Sequence, residues 1–303
     1  MRFDDYLFRS HSVGHIINVP TPLTPNQLET LNAYNDRYNG NGRPLTQKQQ
    51  EDRISLLHKQ IESGKYSISD ATKKLLSQLV FAKKYKRTTV LNANQIKKGL
   101  SEEKEARDIL TRVSGLFLTA SEERKSNKWV TGKIDIEPDE VIIDIKSSYS
   151  WESFSNILQE KPNQIYLHQG DSYMDLWEKK HFLLCHVLTD TPINILQSEI
   201  RKADYHQDFM SIDGNVRDEK ISDVKQIISN HIFSRKGIEN FCNFSPFAEI
   251  EWFDDFIEIP EKDRVHMISH DYDPVRIEQR NECIKICREF MNTVTPINNS
   301  DLL

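Results

Sequence analysis

Apolar positions recur along this chain with two periods. Residues 26–34 and 46–62 repeat them every three to four positions, and a third run of this kind starts behind Ser69 or Asp70 and reaches about Tyr85. Each is expected to be a helix, with Pro20 to Pro25 a loop and Asn39-Gly40-Asn41-Gly42 a breaker. Glu103, Ala106 and Leu110 stand at i, i+3 and i+7, and Tyr166, Gln169, Tyr173 and Leu176 form a second stripe at helical spacing. His181 to Leu188 reads as a buried core strand, Asp190-Thr191-Pro192 opens another helix, Arg264 to Ile268 is expected to be a final strand, and residues 274–294 a helix with an apolar stripe.

The period changes to two between Gly132 and Lys146. Gly132-Lys133-Ile134-Asp135-Ile136 is followed by Glu137-Pro138-Asp139-Glu140 and then by Val141-Ile142-Ile143-Asp144-Ile145-Lys146. A proline at the second of four turn positions between β-branched runs predicts a hairpin, because its fixed φ suits a type I turn. With a loop over 137–140, Ile136 faces Val141 and Asp135 faces Ile142. Asp135, Asp144 and Lys146 then share one side and the apolar residues the other. Asp135 and Asp144 become diagonal neighbours, roughly 7–8 Å apart at the backbone, within reach of one divalent cation. The same alternation also suits a surface hairpin of alternating charge.

An Asp, a spacer and then Asp-x-Lys on a second strand resembles the signature of the PD-(D/E)XK nuclease superfamily, with Ile134 where that family has its leading proline. Two further matches lie in the expected order. Gly99-x-x-x-Glu103-x-x-Ala106 resembles the helix that precedes the hairpin in phage-type members. Gln169-x-x-x-Tyr173 resembles the helix that follows it in the RecB-like and lambda-exonuclease-like branches. Residues 90–294 therefore resemble viral recombination nucleases of the lambda-exonuclease or YqaJ type.

The resemblance implies an α/β fold with a restriction-endonuclease-like core, a central mixed sheet flanked by helices, and an N-terminal helical extension. It divides the chain into residues 1–90 and a nuclease core over 91–303. It also implies a metal-dependent DNA exonuclease, with Glu103, Asp135, Asp144 and the Ile145 carbonyl on Mg²⁺, or on Mn²⁺ in its place. Lys146, Gln169 and Tyr173 complete the catalytic set. A structure-specific or restriction-type endonuclease uses the same core, and a non-catalytic DNA-binding protein can be built on it. A core-facing Glu103 needs a cation or donor to meet it, whereas at an acidic helix start, with Ser101 as cap, it needs none.

Composition alters this picture in one respect. The net charge of −6 over 303 residues is unsuited to binding DNA through bulk electrostatics, so phosphate contacts fall to local patches. Lys83, Lys84, Lys86 and Arg87 form one, and Lys97 with Lys98 a second, each also readable as a solvated face. Arg9 and Ser10 resemble an Arg-Ser segment near the DNA end in viral relatives, where the guanidinium can grip a terminal phosphate, although a structural Arg9 fits equally. Ser147, beside the catalytic lysine, joins the DNA-binding set. The expected partner is linear duplex DNA, and the resemblance adds a single-strand annealing protein and further copies of the chain. Cys185, Cys242, Cys283 and Cys287 read as reduced thiols, with Cys283 and Cys287 one helical turn apart as packing residues. With no bilayer-length apolar run and no signal-peptide pattern, the expected location is the cytoplasm, of a bacterium or of a virus-infected bacterial host.

Overall fold

A computed structural model describes residues 2–19, 21–88, 93–136 and 140–295. In chain order its elements are β1 (Phe8–Arg9), α1 (Ser10–Val13), α2 (Pro25–Tyr38), α3 (Gln47–Glu62), α4 (Asp70–Lys84), α5 (Asn94–Ser101), α6 (Glu103–Ser114), β2 (Arg124–Ser126), β3 (Val130–Lys133) and β4 (Val141–Ser148). These are followed by α7 (Trp151–Gln159), α8 (Gln164–Trp177), β5 (His181–Leu188), α9 (Ile193–Gln207), α10 (Ile221–Ser229), α11 (Arg235–Phe244), β6 (Val265–Asp271) and α12 (Pro274–Thr293). No described helix is long and apolar enough to cross a membrane.

The fold class is the expected one: α/β, with a mixed sheet between helices. β4 pairs in parallel with β5, and β5 antiparallel with β6, in the order β4-β5-β6. Both faces of β4 are covered. Ile143 packs with Leu110 of α6, Ile136 and Cys185 on one side. Ile142 packs with Tyr173, Met174 and Trp177 of α8 on the other, together with Ile134, Phe182 and Leu184. The expected division into a charged and an apolar face is therefore corrected, since Ile142 lies fully buried on the side that carries Asp144.

The chain divides into two compact units: residues 1–88, 126–130 and 273–303 form one, 89–125 and 131–272 the other. The helix α12, expected with the nuclease core, groups with the N-terminal residues. Its Arg288 guanidinium donates to the carbonyls of Tyr6 (2.8 Å) and Lys128 (2.6 Å), and the Asn292 side chain accepts from the Phe3 amide. Cys283 and Cys287 are buried on this helix, and burial pushes the Cys287 thiol up to about 12. The starts of α2, α3 and α4 follow from capping: Thr24, Thr46 and Ser69 each accept from the amide three residues ahead, as short side-chain oxygens do at a helix entry.

In the larger unit the helix expected around Glu103 is two helices. Glu102, at φ −100° and ψ 5°, breaks α5 from α6, and Ser101 bonds back to the Lys98 carbonyl instead of capping α6. Beyond β5, the Asp190 carboxylate accepts from the Phe233 amide (2.7 Å) and the Ser234 amide (3.2 Å). It thereby ties the end of the sheet to a helical lobe whose core includes Leu196, Ile200, Phe209, Ile228 and Phe241.

Lys98 corrects a sequence expectation. It is fully buried, so it cannot track phosphates, and its ammonium donates to the carbonyls of Tyr149 (3.0 Å) and Thr189 (2.7 Å), just beyond the ends of β4 and β5. Burial pulls its pKa down to about 7, against the opposing attraction of Asp190 and Glu102. Between that value and the 10.5 of an unfolded lysine, the unfolded chain binds more protons, so stability rises with pH. Urea titrations from pH 7 to 10 are expected to show wild type gaining on Lys98→Met by at most about 1.4 kcal/mol per pH unit, and a gap independent of pH would contradict the lowered pKa of Lys98. A close approach fixes α8 on the sheet: a Cβ at Gly170 would lie 2.4 Å from the Phe182 ring. Gly170→Ala should therefore lower stability by roughly 1–3 kcal/mol, despite alanine's better helix propensity, and a raised urea midpoint would contradict this.

Candidate active site

Asp135 and Asp144 come together through one pair of backbone hydrogen bonds. Ile136 donates to the Ile143 carbonyl (3.3 Å) and Ile143 to the Ile136 carbonyl (3.1 Å), an antiparallel bridge that places Asp135 directly opposite Asp144. The expected diagonal arrangement is thus corrected by two residues. A slip of two keeps every side chain on its face, so alternation cannot detect it; packing of Ile136 against Ile143 selects the register. Because the isoleucines exchange both bonds, the aspartates occupy the adjoining non-hydrogen-bonded pair, where Cα atoms approach to about 4.5 Å and side chains come closest. The Glu137-Pro138-Asp139 turn lies outside the described residues.

The surroundings of the two carboxylates differ. Asp144 is 1% exposed; its Oδ1 accepts from Gln169 Nε2 (2.9 Å), and its Oδ2 lies 2.7 Å from Lys146 Nζ, an ion pair without hydrogen-bond geometry. Asp135 is half-buried, and its Oδ2 accepts from the Ile145 amide (2.9 Å). Burial, reinforced by the facing Asp144, pushes the Asp135 carboxyl up to about 6. Burial alone would depress Lys146, but Asp144 and Asp135 outweigh it and hold the ammonium above its ordinary range. The aromatic face of Tyr166 stands 5.4 Å from the same ammonium.

Gln169 and Tyr173 join this centre from α8. The Gln169 amide is 2% exposed and also donates to Tyr173 Oη (3.0 Å), one turn on, so a single amide links the hydroxyl to Asp144. Burial, with the Asp144 charge behind it, raises the Tyr173 hydroxyl well above the usual phenol range. Ile134, in the position of the superfamily's proline, packs fully buried beneath the same helix.

Glu103 does not face the core. It begins α6 and is exposed, whereas Ala106 and Leu110 on the same stripe are buried. Helical side chains tilt toward the N-terminus, so one in the first turn projects past the end of the helix. Among the described residues, no group of three or more His, Cys, Asp or Glu side chains is placed to hold a metal. The remaining donors still fit a hard cation: two opposed carboxylates, one with a buried oxygen that lacks a hydrogen bond, are all-oxygen ligands of the kind Mg²⁺ takes alongside water and substrate phosphate.

The other expected contacts divide by exposure. Lys83, Lys84, Lys86 and Arg87 are exposed around the end of α4, where Lys86 takes a left-handed φ of 52° as the chain leaves the helix. Arg9 is exposed, but Ser10 is buried at the start of α1, which argues against a surface clamp by its hydroxyl. Ser147 is half-buried next to Lys146. His186 was not foreseen from the sequence. It stands beside Lys146 in the β4–β5 register and opposite His266 of β6, and a run that reads as core strand gave no sign of it.

Among solved structures, the chain superposes on a phage-related exonuclease from Haemophilus somnus 129PT with a TM-score of 0.56 at 15% identity, over 99% of this chain and 97% of the other. The two share a fold. An alkaline exonuclease from Laribacter hongkongensis, LHK-Exo, is more distant, with a TM-score of 0.44 at 10% identity over 74% of this chain and 81% of that one. Its complex with dAMP gives the same TM-score at 11% identity, over 74% and 80%. No family model matches the chain, and no curated protein is significantly similar to it in sequence.

Removing the Gln169 amide would leave two buried oxygens short of a donor. Gln169→Leu is expected to cost about 1–3 kcal/mol of unfolding free energy, read from urea midpoints at pH 7. A variant as stable as wild type would show that the link carries no weight.

Proposed function

We propose that this protein is a divalent-cation-dependent DNA exonuclease that removes nucleotides from duplex ends, in viral-type recombination or repair. The observation that carries the proposal is the direct opposition of Asp135 and Asp144 with Lys146 alongside, in a fold shared with a phage-related exonuclease. Asp135 and Asp144 would hold Mg²⁺ or Mn²⁺, the Ile145 carbonyl offering a further oxygen. When bound, such a cation supplies Lewis acidity toward a phosphodiester and acidifies water toward neutrality.

The protein's own groups have distinct parts in this scheme. Lys146, kept protonated by its two carboxylate neighbours, offers fixed positive charge to a phosphate oxygen as negative charge develops there. Gln169 fixes the Asp144 carboxylate through Oδ1 and leaves Oδ2 toward Lys146. Glu103, exposed at the head of α6, is available to water or substrate and not preset with the pair. Arg9 and the Lys83, Lys84, Lys86 and Arg87 cluster supply the local positive charge that a chain of net charge −6 needs in order to meet DNA phosphates. A single-strand annealing protein and further copies of the chain belong to the same reading.

The test is a product time course on end-labelled linear and covalently closed circular duplex with Mg²⁺, with Mn²⁺ and with chelator. Linear DNA should be degraded, closed circles spared, and chelator should stop the reaction. Asp144→Asn should lose at least about a hundredfold in rate, since the displaced cation is worth several kcal/mol, while its far-ultraviolet circular dichroism stays native. Nicking of closed circles would favour the endonuclease, no turnover with either cation would favour the idle scaffold, and an active, folded Asp144→Asn would remove the carboxylate pair from the chemistry.

A further inference from the structure

One face of α4, in the smaller unit, has no part in the carboxylate centre. Lys74, Ser77, Gln78, Phe81 and Tyr85 fall on a single stripe of this helix, and with Val294, just beyond α12, they line an open cavity of about 590 Å³. From Lys74 to Tyr85 the stripe runs roughly 16 Å along the helix axis. Its floor is apolar: the Phe81 and Tyr85 rings pack on each other with centroids 6.4 Å apart, and Tyr85 is 55% exposed. Its charge is gathered at the ends. Lys74 stands at one, and Lys84, Lys86 and Arg87 follow at the other, with the Lys84 ammonium 5.5 Å from the Tyr85 ring. The neighbouring Lys73 is neutralised by Asp70 at 3.0 Å, whereas these four cations make no ion pair among the described residues. An exposed apolar strip between unneutralised cations, in a chain of net charge −6, is the kind of surface that another molecule covers.

We propose that this groove docks an acidic amphipathic helix of another protein, with apolar side chains on the Phe81–Tyr85 floor and carboxylates at the two charged ends. Such docking requires no reaction at the carboxylate centre. A helix lays side chains at i, i+4 and i+7 into a groove over roughly 10 Å of its length, which fits between the two ends. The cations then select the sign of its flanks, since rim charges of opposite sign steer a partner and fix its register. Ser77 and Gln78 offer hydrogen-bonding groups along the wall. A nucleic-acid strand is a poorer match. Its phosphates recur along its whole length, whereas the cations here stand apart on either side of an apolar floor. A base would stack on an open aromatic face, and Lys84 already lies over the Tyr85 ring.

The test measures fluorescence anisotropy of three labelled probes with the full-length protein, at low and at high salt. The first is a synthetic two-heptad peptide with leucines on one face and glutamates elsewhere, the second an isomer that scatters the same leucines around the helix, and the third an oligothymidylate of similar charge. The one-faced peptide should bind with one site per chain, roughly tenfold or more tighter than its isomer, and Phe81→Ala should weaken it by a similar factor. Lys74→Glu, an exposed substitution that leaves the packing intact, should weaken it by roughly fivefold at low salt and by little at high salt. Should Phe81→Ala fold poorly, the charge reversal at Lys74 decides the matter by itself. Equal affinity for the two peptides, no binding of either, or an unchanged affinity in Lys74→Glu would overturn the proposal. So would oligothymidylate that displaces the peptide and loses affinity in Phe81→Ala, which would make the groove a strand-binding surface. A dimer in sedimentation that Phe81→Ala abolishes would also overturn it, by placing a second copy of the chain there.

Discussion

Two like charges are held face to face by a pair of hydrogen bonds between isoleucines, and much of the surrounding structure answers that repulsion. Without the Ile136–Ile143 bridge the carboxylates would not be in register; with it they occupy the closest class of cross-strand pair. The protein compensates in three ways: an ammonium at 2.7 Å from Asp144, a buried amide on its other oxygen, and a backbone N–H on Asp135. Asp135 nevertheless remains harder to ionise than an ordinary aspartate. A divalent cation would relieve that mismatch in a way that a single lysine cannot.

The scaffold holds this arrangement from both faces. Ile143 is gripped under α6 and Ile142 under α8, so β4 cannot slide without exposing apolar side chains that each contribute roughly 1.5–3 kcal/mol when buried. The helix α8 is seated by the contact of Gly170 with Phe182, which sets Gln169 at hydrogen-bonding distance from Asp144. The buried ammonium of Lys98 fastens the far ends of the two parallel strands. Fold and site thus depend on the same few side chains.

The legible and illegible parts of the sequence separate on physical grounds. Strand alternation placed Asp135, Asp144 and Lys146 on one side because that information is local, and helical spacing put Gln169 and Tyr173 on one stripe for the same reason, whereas their place at the centre came only from the resemblance. The register escaped because a slip of two residues leaves alternation intact. Glu103 was assigned to the core because its spacing matches that of Ala106 and Leu110, and spacing does not reveal that α6 begins at that residue. Lys98 is indistinguishable in sequence from its surface neighbour Lys97; only long-range packing buries it. The lobe around Phe209, Val224 and Phe241 draws its core from segments far apart in the chain, and no local period announces it. His186 meets Lys146 only across a parallel pair, where partners are distant in sequence.

Binding of a divalent cation by the opposed aspartates is the central claim. Electron paramagnetic resonance of Mn²⁺ titrated into the full-length protein, compared with Asp135→Ala and Asp144→Asn, addresses this without reference to any reaction. At least one site per chain should be present in wild type and lost in both variants. Equal Mn²⁺ binding by all three proteins, or none by wild type, would contradict it.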